Sequence, residues 1–268
     1  MSRILNGREL MGFIKERQAH QVRGLIQHFK VQPKLAIIQT VSNPVIDLYV
    51  RLKRNYAADI KIETEIYQID QSEAAGLIKQ LNNDTLVTGI IVQLPLADPR
   101  QTDELVNLIA PEKDVDGLGA NAKWGAATPT AINWLLAGYN VLLSGKKLAI
   151  VGQGRLVGAP LAKMWRNSGL DITTYDIDST DRLISELPNY DVVVTATGVP
   201  RLIKPNMLKQ KAVVVDAGTA TDSGEVVGDL DPAVRERSDL SLTPAKGGVG
   251  PLTIAALLDN VIQASYPS

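Results

Sequence analysis

The chain has 268 residues, 45% of them hydrophobic, and a formal net charge of −1. That size and balance fit one large or two medium globular domains with a substantial core, and near-neutrality gives no electrostatic basis for a nucleic-acid or acidic-membrane partner. The absence of cysteine excludes disulfides, zinc–thiolate sites and thiol nucleophiles.

No His/Asp/Glu cluster has metal-ligand spacing, and His20 and His28 both fall in the first helical stretch, so no metal is expected. Residues Met1 to Asn6 lack an apolar signal core and no apolar run is long enough to span a bilayer, which predicts a cytoplasmic protein.

Leu10, Phe13, Ile14, Val22, Leu25, Ile26 and Phe29 recur at helical spacing. Lys34 to Val41 reads as a strand, and Asn43-Pro44 opens a helix over about Val45 to Asp59. Ile62 to Ile69 alternates like a strand, Ser72 to Leu81 is helical, and Leu86 to Gln93 is a β-rich run ending at Leu94-Pro95. Strands alternating with helices at this spacing predict a largely parallel α/β sheet, in which ligands sit beyond the carboxyl ends of the strands.

Three polar features fall at such ends. Tyr49 and Lys53, at i and i+4, share one helix face. Gln93 ends a strand, and Lys113-Asp114-Val115-Asp116-Gly117 forms a loop. Each also has an ordinary structural reading, as a solvated face, a turn cap and a plain turn. Spacing alone does not separate the two.

Thr128-Pro129 opens a helix over Ala131 to Tyr139, leading to an apolar run, Leu148 to Val151, that stops at Gly152-Gln153-Gly154-Arg155-Leu156-Val157-Gly158-Ala159-Pro160. A helical pattern follows from Val157, and Ser168-Gly169 ends it. A strand, a glycine turn and a helix start in that order can hold a dinucleotide pyrophosphate, because the bare backbone approaches the phosphates and the helix start offers N–H groups and partial positive charge. Asp171 to Tyr175 reads as the next strand, and Asp176 stands at its end, about two dozen residues past Gly152, where such a unit carries the acid that binds ribose hydroxyls. Strands follow at Asp191–Ala196 and Ala212–Asp216, running into Gly198 and Gly218. Gly247-Gly248-Val249-Gly250-Pro251-Leu252-Thr253 precedes a last helix, Ile254 to Ala264, and its glycine density suggests a sharp turn or a close backbone approach.

Taken together these stretches resemble the methylenetetrahydrofolate dehydrogenase/methenyltetrahydrofolate cyclohydrolase family over nearly the whole chain. The resemblance rests on Ile4-Leu5-Asn6-Gly7, Tyr49-x-x-x-Lys53, Gln93-Leu94-Pro95-Leu96, Pro111-Glu112-Lys113-Asp114-Val115-Asp116-Gly117, Thr128-Pro129, the Gly152–Pro160 loop, Ala196-Thr197-Gly198, Val227-Gly228-Asp229, Thr243-Pro244 and Gly247–Pro251. It implies two α/β domains: a folate-binding catalytic domain over 1–126, completed by a C-terminal helix at 251–268, and a Rossmann dinucleotide-binding domain over 127–250. It further implies a homodimer with folate in the cleft between the domains, and two reactions on tetrahydrofolate derivatives. A hydride passes from the methylene bridge to the nicotinamide, and water then opens the methenyl ring to the formyl compound.

By position, the resemblance makes Lys53 the catalytic lysine, Gln93 its partner, Tyr49 a residue stacked on the folate and Asp116 a ligand of the pterin edge. It adds Leu94, Pro95, Gly248, Gly250, Pro251 and Thr253 around the substrate. On the cofactor it places Gly152, Gln153, Gly154, Arg155, Leu156, Val157, Asp176, Ala196, Thr197, Gly198 and Thr219. A lysine partly desolvated in a cleft can exchange protons near neutrality.

The sequence also departs from the family pattern. Gln153 and Gly154 stand where NADP-using members carry Arg-Ser, and Asp176-Ile177 replaces His-Ser. A carboxylate repels a 2′-phosphate and suits a ribose diol, so NAD is expected to be preferred over NADP, with Arg155 near enough to reach a phosphate. Ile46 replaces a serine, Lys61 a glycine, Ala126-Ala127 a Pro-Cys and Ala245-Lys246 a Val-Pro. Two other readings stand beside this one: an NAD(P) dehydrogenase of the shikimate or amino-acid type, and a non-catalytic nucleotide-sensing protein.

Overall fold

The computed structural model describes residues 3–222 and 225–267. Its strands are β1 (Arg3–Ile4), β2 (Lys34–Gln39), β3 (Glu63–Gln68), β4 (Gly89–Gln93), β5 (Leu148–Val151), β6 (Ile172–Tyr175), β7 (Val192–Thr195), β8 (Val213–Asp216), β9 (Ala220–Asp222), β10 (Glu225–Val227) and β11 (Ser241–Leu242). The α-helices are α1 (Gly7–Gly24), α2 (Pro44–Asp59), α3 (Gln71–Asn83), α4 (Thr102–Asn107), α5 (Ala127–Gly138), α6 (Gly158–Asn167), α7 (Thr180–Glu186) and α8 (Val249–Ala264). The chain divides into two compact units, Gly12–Ala127 with Ile254–Ser268 and Met1–Met11 with Thr128–Thr253.

In the unit built on Gly12–Ala127, β2 lies between β3 and β4, all parallel. The run Leu35–Ile38 is fully buried, as expected of a central strand covered on both faces, whereas the edge strand β3 is half-buried along its middle and exposed at both ends. Asn43 starts α2 by accepting the N–H groups of Val45 and Ile46 at its Oδ1, with Pro44 in the first turn. Ala74, Ile78 and Leu81 of α3 pack with Ile90 and Val92 of β4 and with Leu105 of α4. The sheet reverses its winding beside β2, so the carboxyl ends of β2 and β4 form a switch point, where Gln39 and Gln93 are register partners.

The second unit carries a six-stranded parallel sheet in the order β1-β11-β8-β7-β5-β6. Its central strands are buried valine-rich runs, and its switch point lies between β5 and β7. A β9–β10 pair is antiparallel.

Residues 3–5 are drawn into the second sheet: Arg3 and Leu5 donate backbone hydrogen bonds to Leu240 and Leu242. Asn6 then caps α1 through Oδ1, and a Cβ on Gly7 would lie 1.9 Å from the Gly248 carbonyl oxygen, which accounts for the Asn6-Gly7 pair. The last helix begins at Val249 rather than Ile254, so Gly250 and Pro251 belong to its first turn, where proline's missing N–H leaves no bond unmade.

Candidate active site

In the first unit, candidate side chains meet at the switch point. Lys53, on the third turn of α2, donates from Nζ to Oε1 of Gln93 across 2.8 Å. Gln93 is oriented in turn by its own Nε2, which donates to the Leu94 carbonyl at 2.9 Å. The solvated-face reading of the lysine therefore fails: Lys53 is half-buried, and burial holds its ammonium below the ordinary lysine range while the carboxylate of Asp116 works in the opposite direction. Burial likewise pushes Asp116 above the usual carboxylate range, opposed by Lys53 and reinforced by Asp114. Tyr49, one turn before Lys53, is also half-buried, and burial raises its phenol. Leu94 and Pro95 are joined by a cis peptide bond.

The Asp116 loop is built by Asp114. This residue is 1% exposed, and its two oxygens accept the N–H groups of Gly117 at 3.0 Å and Gly119 at 2.7 Å. Its position beside Asp116 was visible in the sequence; its burial was not. Gln39, register partner of Gln93, donates to Asp47 Oδ1 at 2.6 Å and fixes the entry to α2. Ile46 is buried in the core and offers no polar group. Lys61 adopts φ 65, a left-handed conformation that a glycine reaches without steric penalty.

In the second unit, Gly152 has φ 98, and a Cβ there would lie 2.5 Å from the Ala196 carbonyl oxygen. A Cβ on Gly158 would lie 1.8 Å from the Gly152 carbonyl oxygen, so the start of α6 presses directly on the loop. These two bare positions form the kind of cradle a pyrophosphate needs at a helix N-terminus. The Gly152 N–H donates to the Tyr175 carbonyl at 2.7 Å, which brings the loop beside Asp176, exposed at the end of β6 and accepting the Ser179 hydroxyl at 3.0 Å. Gln153 turns back to donate to the Gly152 carbonyl. Ala196, Thr197 and Gly198 follow β7, Ala196 donating to the Val151 carbonyl at 2.8 Å. A Cβ on Gly198 would face the Thr219 carbonyl oxygen at 3.3 Å. Gly154, Leu156 and Thr219 are exposed, with Arg155 and Val157 half-buried. The residues present fit a dinucleotide. At the start of α8, Gly248 packs on Thr243, Thr253 lies 3.4 Å from Thr128, and a Cβ on Gly250 would meet nothing within 4 Å.

Residues 5–116 match the catalytic-domain model of tetrahydrofolate dehydrogenase/cyclohydrolase, and residues 126–267 match the NAD(P)-binding-domain model of the same enzyme. The chain belongs to the tetrahydrofolate dehydrogenase/cyclohydrolase family. A bifunctional protein FolD of Maridesulfovibrio salexigens is 39% identical over 97% of this chain and 97% of its own length. The crystal structure of the bifunctional enzyme FolD from Campylobacter jejuni superposes with a TM-score of 0.92 at 32% identity, covering 99% of both chains. The Trypanosoma brucei enzyme complexed with NADP and an inhibitor gives a TM-score of 0.91 at 27% identity, covering 98% of this chain and 97% of that one. Membership of this family over nearly the full length disfavours the shikimate-type reading. Among the described residues no helix is long and apolar enough to cross a membrane, and no group of three or more metal-ligating side chains is present.

Proposed function

We propose that Lys53 carries the protons in the second of two reactions that this tetrahydrofolate dehydrogenase/cyclohydrolase performs, and that NAD is the preferred hydride acceptor in the first. The observation that carries the proton role is the Lys53–Gln93 hydrogen bond of 2.8 Å beside Asp116.

In the first reaction methylenetetrahydrofolate loses a hydride and becomes the methenyl cation; bound NAD(P) supplies the acceptor, C4 of its nicotinamide. Positive charge develops on the folate, so a strong acid near the bridge would not help. Asp116 fits the polar edge of the pterin and Tyr49 its face. In the second reaction water adds to the methenyl carbon. A neutral Lys53 takes a proton from that water, and the ring C–N bond then breaks as the nitrogen gains a proton, leaving formyltetrahydrofolate and one proton released overall. Desolvation supports this role by favouring the neutral amine. Gln93 does not titrate; it holds the lysine through Oε1 and, with one amide N–H given to the Leu94 carbonyl, leaves the other for the water or the developing hydroxyl.

For the cofactor, Gly152, Gly154 and the start of α6 would hold the pyrophosphate, with Asp176 on the adenosine ribose. The exposed Asp176 supports NAD, because its charge favours a diol and repels a 2′-phosphate. The family resemblance further points to a homodimer, which light scattering of the purified protein tests. Following reduced cofactor with methylenetetrahydrofolate and either dinucleotide tests the preference. A higher kcat/KM with NAD is expected, and a clear NADP preference overturns it.

A further inference from the structure

The Val227-Gly228-Asp229 stretch takes no part in the chemistry above, yet Asp229 is 0% exposed. Its Oδ2 accepts the Thr195 hydroxyl at 2.6 Å and the Thr197 backbone N–H at 2.7 Å. Thr195 ends β7, and Thr197 lies in the turn beyond it. The Asp229 N–H donates to Oδ1 of Asp216 at 3.0 Å, and the Leu230 N–H to Oδ2 of the same carboxylate at 3.2 Å. Asp216 ends β8 and also accepts from the Gly218 N–H at 3.2 Å and from Arg235 at 3.3 Å. Two buried carboxylates thus tie the carboxyl ends of β7 and β8 together. Two glycines make room: a Cβ on Gly218 would lie 2.0 Å from Asp229 Oδ1, and one on Gly228 would lie 2.1 Å from Asp216 Oδ2.

Two features set this network apart from ordinary core packing. Asp229 Oδ1 is buried with no hydrogen-bond partner, an unfavourable arrangement that persists while Oδ2 takes both donors of the β7 turn. The turn it grips is also the one whose Ala196 carbonyl faces Gly152. With the pyrophosphate on the glycine loop and the adenosine ribose at Asp176 beside β6, the rest of a dinucleotide extends the other way from the switch point, over the ends of β7 and β8.

We propose that Asp229 is a positioning residue for the nicotinamide half of the cofactor, pinning the Thr195–Thr197 turn against Gly152. The inference rests on the reading of the glycine loop and Asp176 as the dinucleotide site. Its test uses Asp229→Ala and Asp229→Asn, assayed for both reactions of the full-length enzyme. The alanine variant is expected to raise the dinucleotide KM about tenfold, the loss that accompanies removal of a charge-assisted acceptor. Hydrolysis of preformed methenyltetrahydrofolate uses no dinucleotide and stays close to wild type. The asparagine variant keeps an acceptor for the Thr197 N–H and recovers most of the loss. Thr195→Val, which removes one donor without changing side-chain volume greatly, raises the same KM more modestly and serves if the alanine variant does not fold. An unchanged dinucleotide KM in these variants, or a parallel fall of both activities, overturns the inference. Asp176→Ser is measured alongside. If it alters the NAD to NADP ratio while the Asp229 variants leave KM unchanged, only the positioning role falls. If it too alters nothing, the underlying site reading falls with it.

Discussion

Lys53 donates to Gln93 across 2.8 Å, joining the middle of α2 to the last residue of β4. Both side chains sit where the sheet changes its winding direction, so one hydrogen bond fixes the Lys53 amine relative to the end of β4. The pull of Asp116 on the lysine is the adjustable part of this arrangement, and its removal has a sign that can be worked out.

Burial lowers the Lys53 pKa below 10.5 and the Asp116 carboxylate raises it. A rate that depends on the neutral amine rises with pH through the Lys53 pKa. Replacing Asp116 by Asn removes the charge that favours the ammonium, so the midpoint of the pH–kcat profile for methenyltetrahydrofolate hydrolysis is expected to move to lower pH. A midpoint that stays in place or moves upward contradicts the coupling.

The glycine loop makes a steric prediction. Gly158→Ala places a methyl group 1.8 Å from the Gly152 carbonyl oxygen, an overpacking expected to destabilise the protein by roughly 1–3 kcal/mol and to raise the dinucleotide KM. Lys61→Gly acts in the opposite sense. It relieves a left-handed φ of 65 and is expected to stabilise by roughly 0.5–1 kcal/mol. Thermal denaturation of the two variants checks both signs, with Tm lower in the first and higher in the second.

Cofactor choice turns on Asp176. Removing its charge in Asp176→Ser is expected to improve kcat/KM with NADP relative to NAD by about tenfold or more, since a like-charge contact is removed only for the phosphorylated dinucleotide. An unchanged ratio in steady-state kinetics contradicts the role given to this residue.

The long elements were legible in the sequence because their patterns are local. Apolar spacing gave α1, the Asn43-Pro44 signal gave α2, and the run at 148–151 ending in glycine gave β5 and its loop. The two-residue strands β1 and β11 carry no period of their own; their pairing appears only when Arg3 and Leu5 meet the backbone of residues 240–242. The start of α8 was obscured by Gly250 and Pro251, which read as loop residues and fit a first helical turn equally well. At the candidate site, the shared face of Tyr49 and Lys53 followed from helical spacing. The burial of Asp229 did not, because the donors that meet its Oδ2 come from Thr195 and Thr197, far from it in the chain. A polar residue's neighbours in sequence say little about such partners.

The most direct measurement is hydrolysis of methenyltetrahydrofolate by Lys53→Ala, with folding verified by circular dichroism. If Lys53 moves the protons, the rate falls by at least about a hundredfold, the scale of general acid–base catalysis, while the variant remains folded. Hydrolysis at the wild-type rate in the folded variant contradicts the assignment.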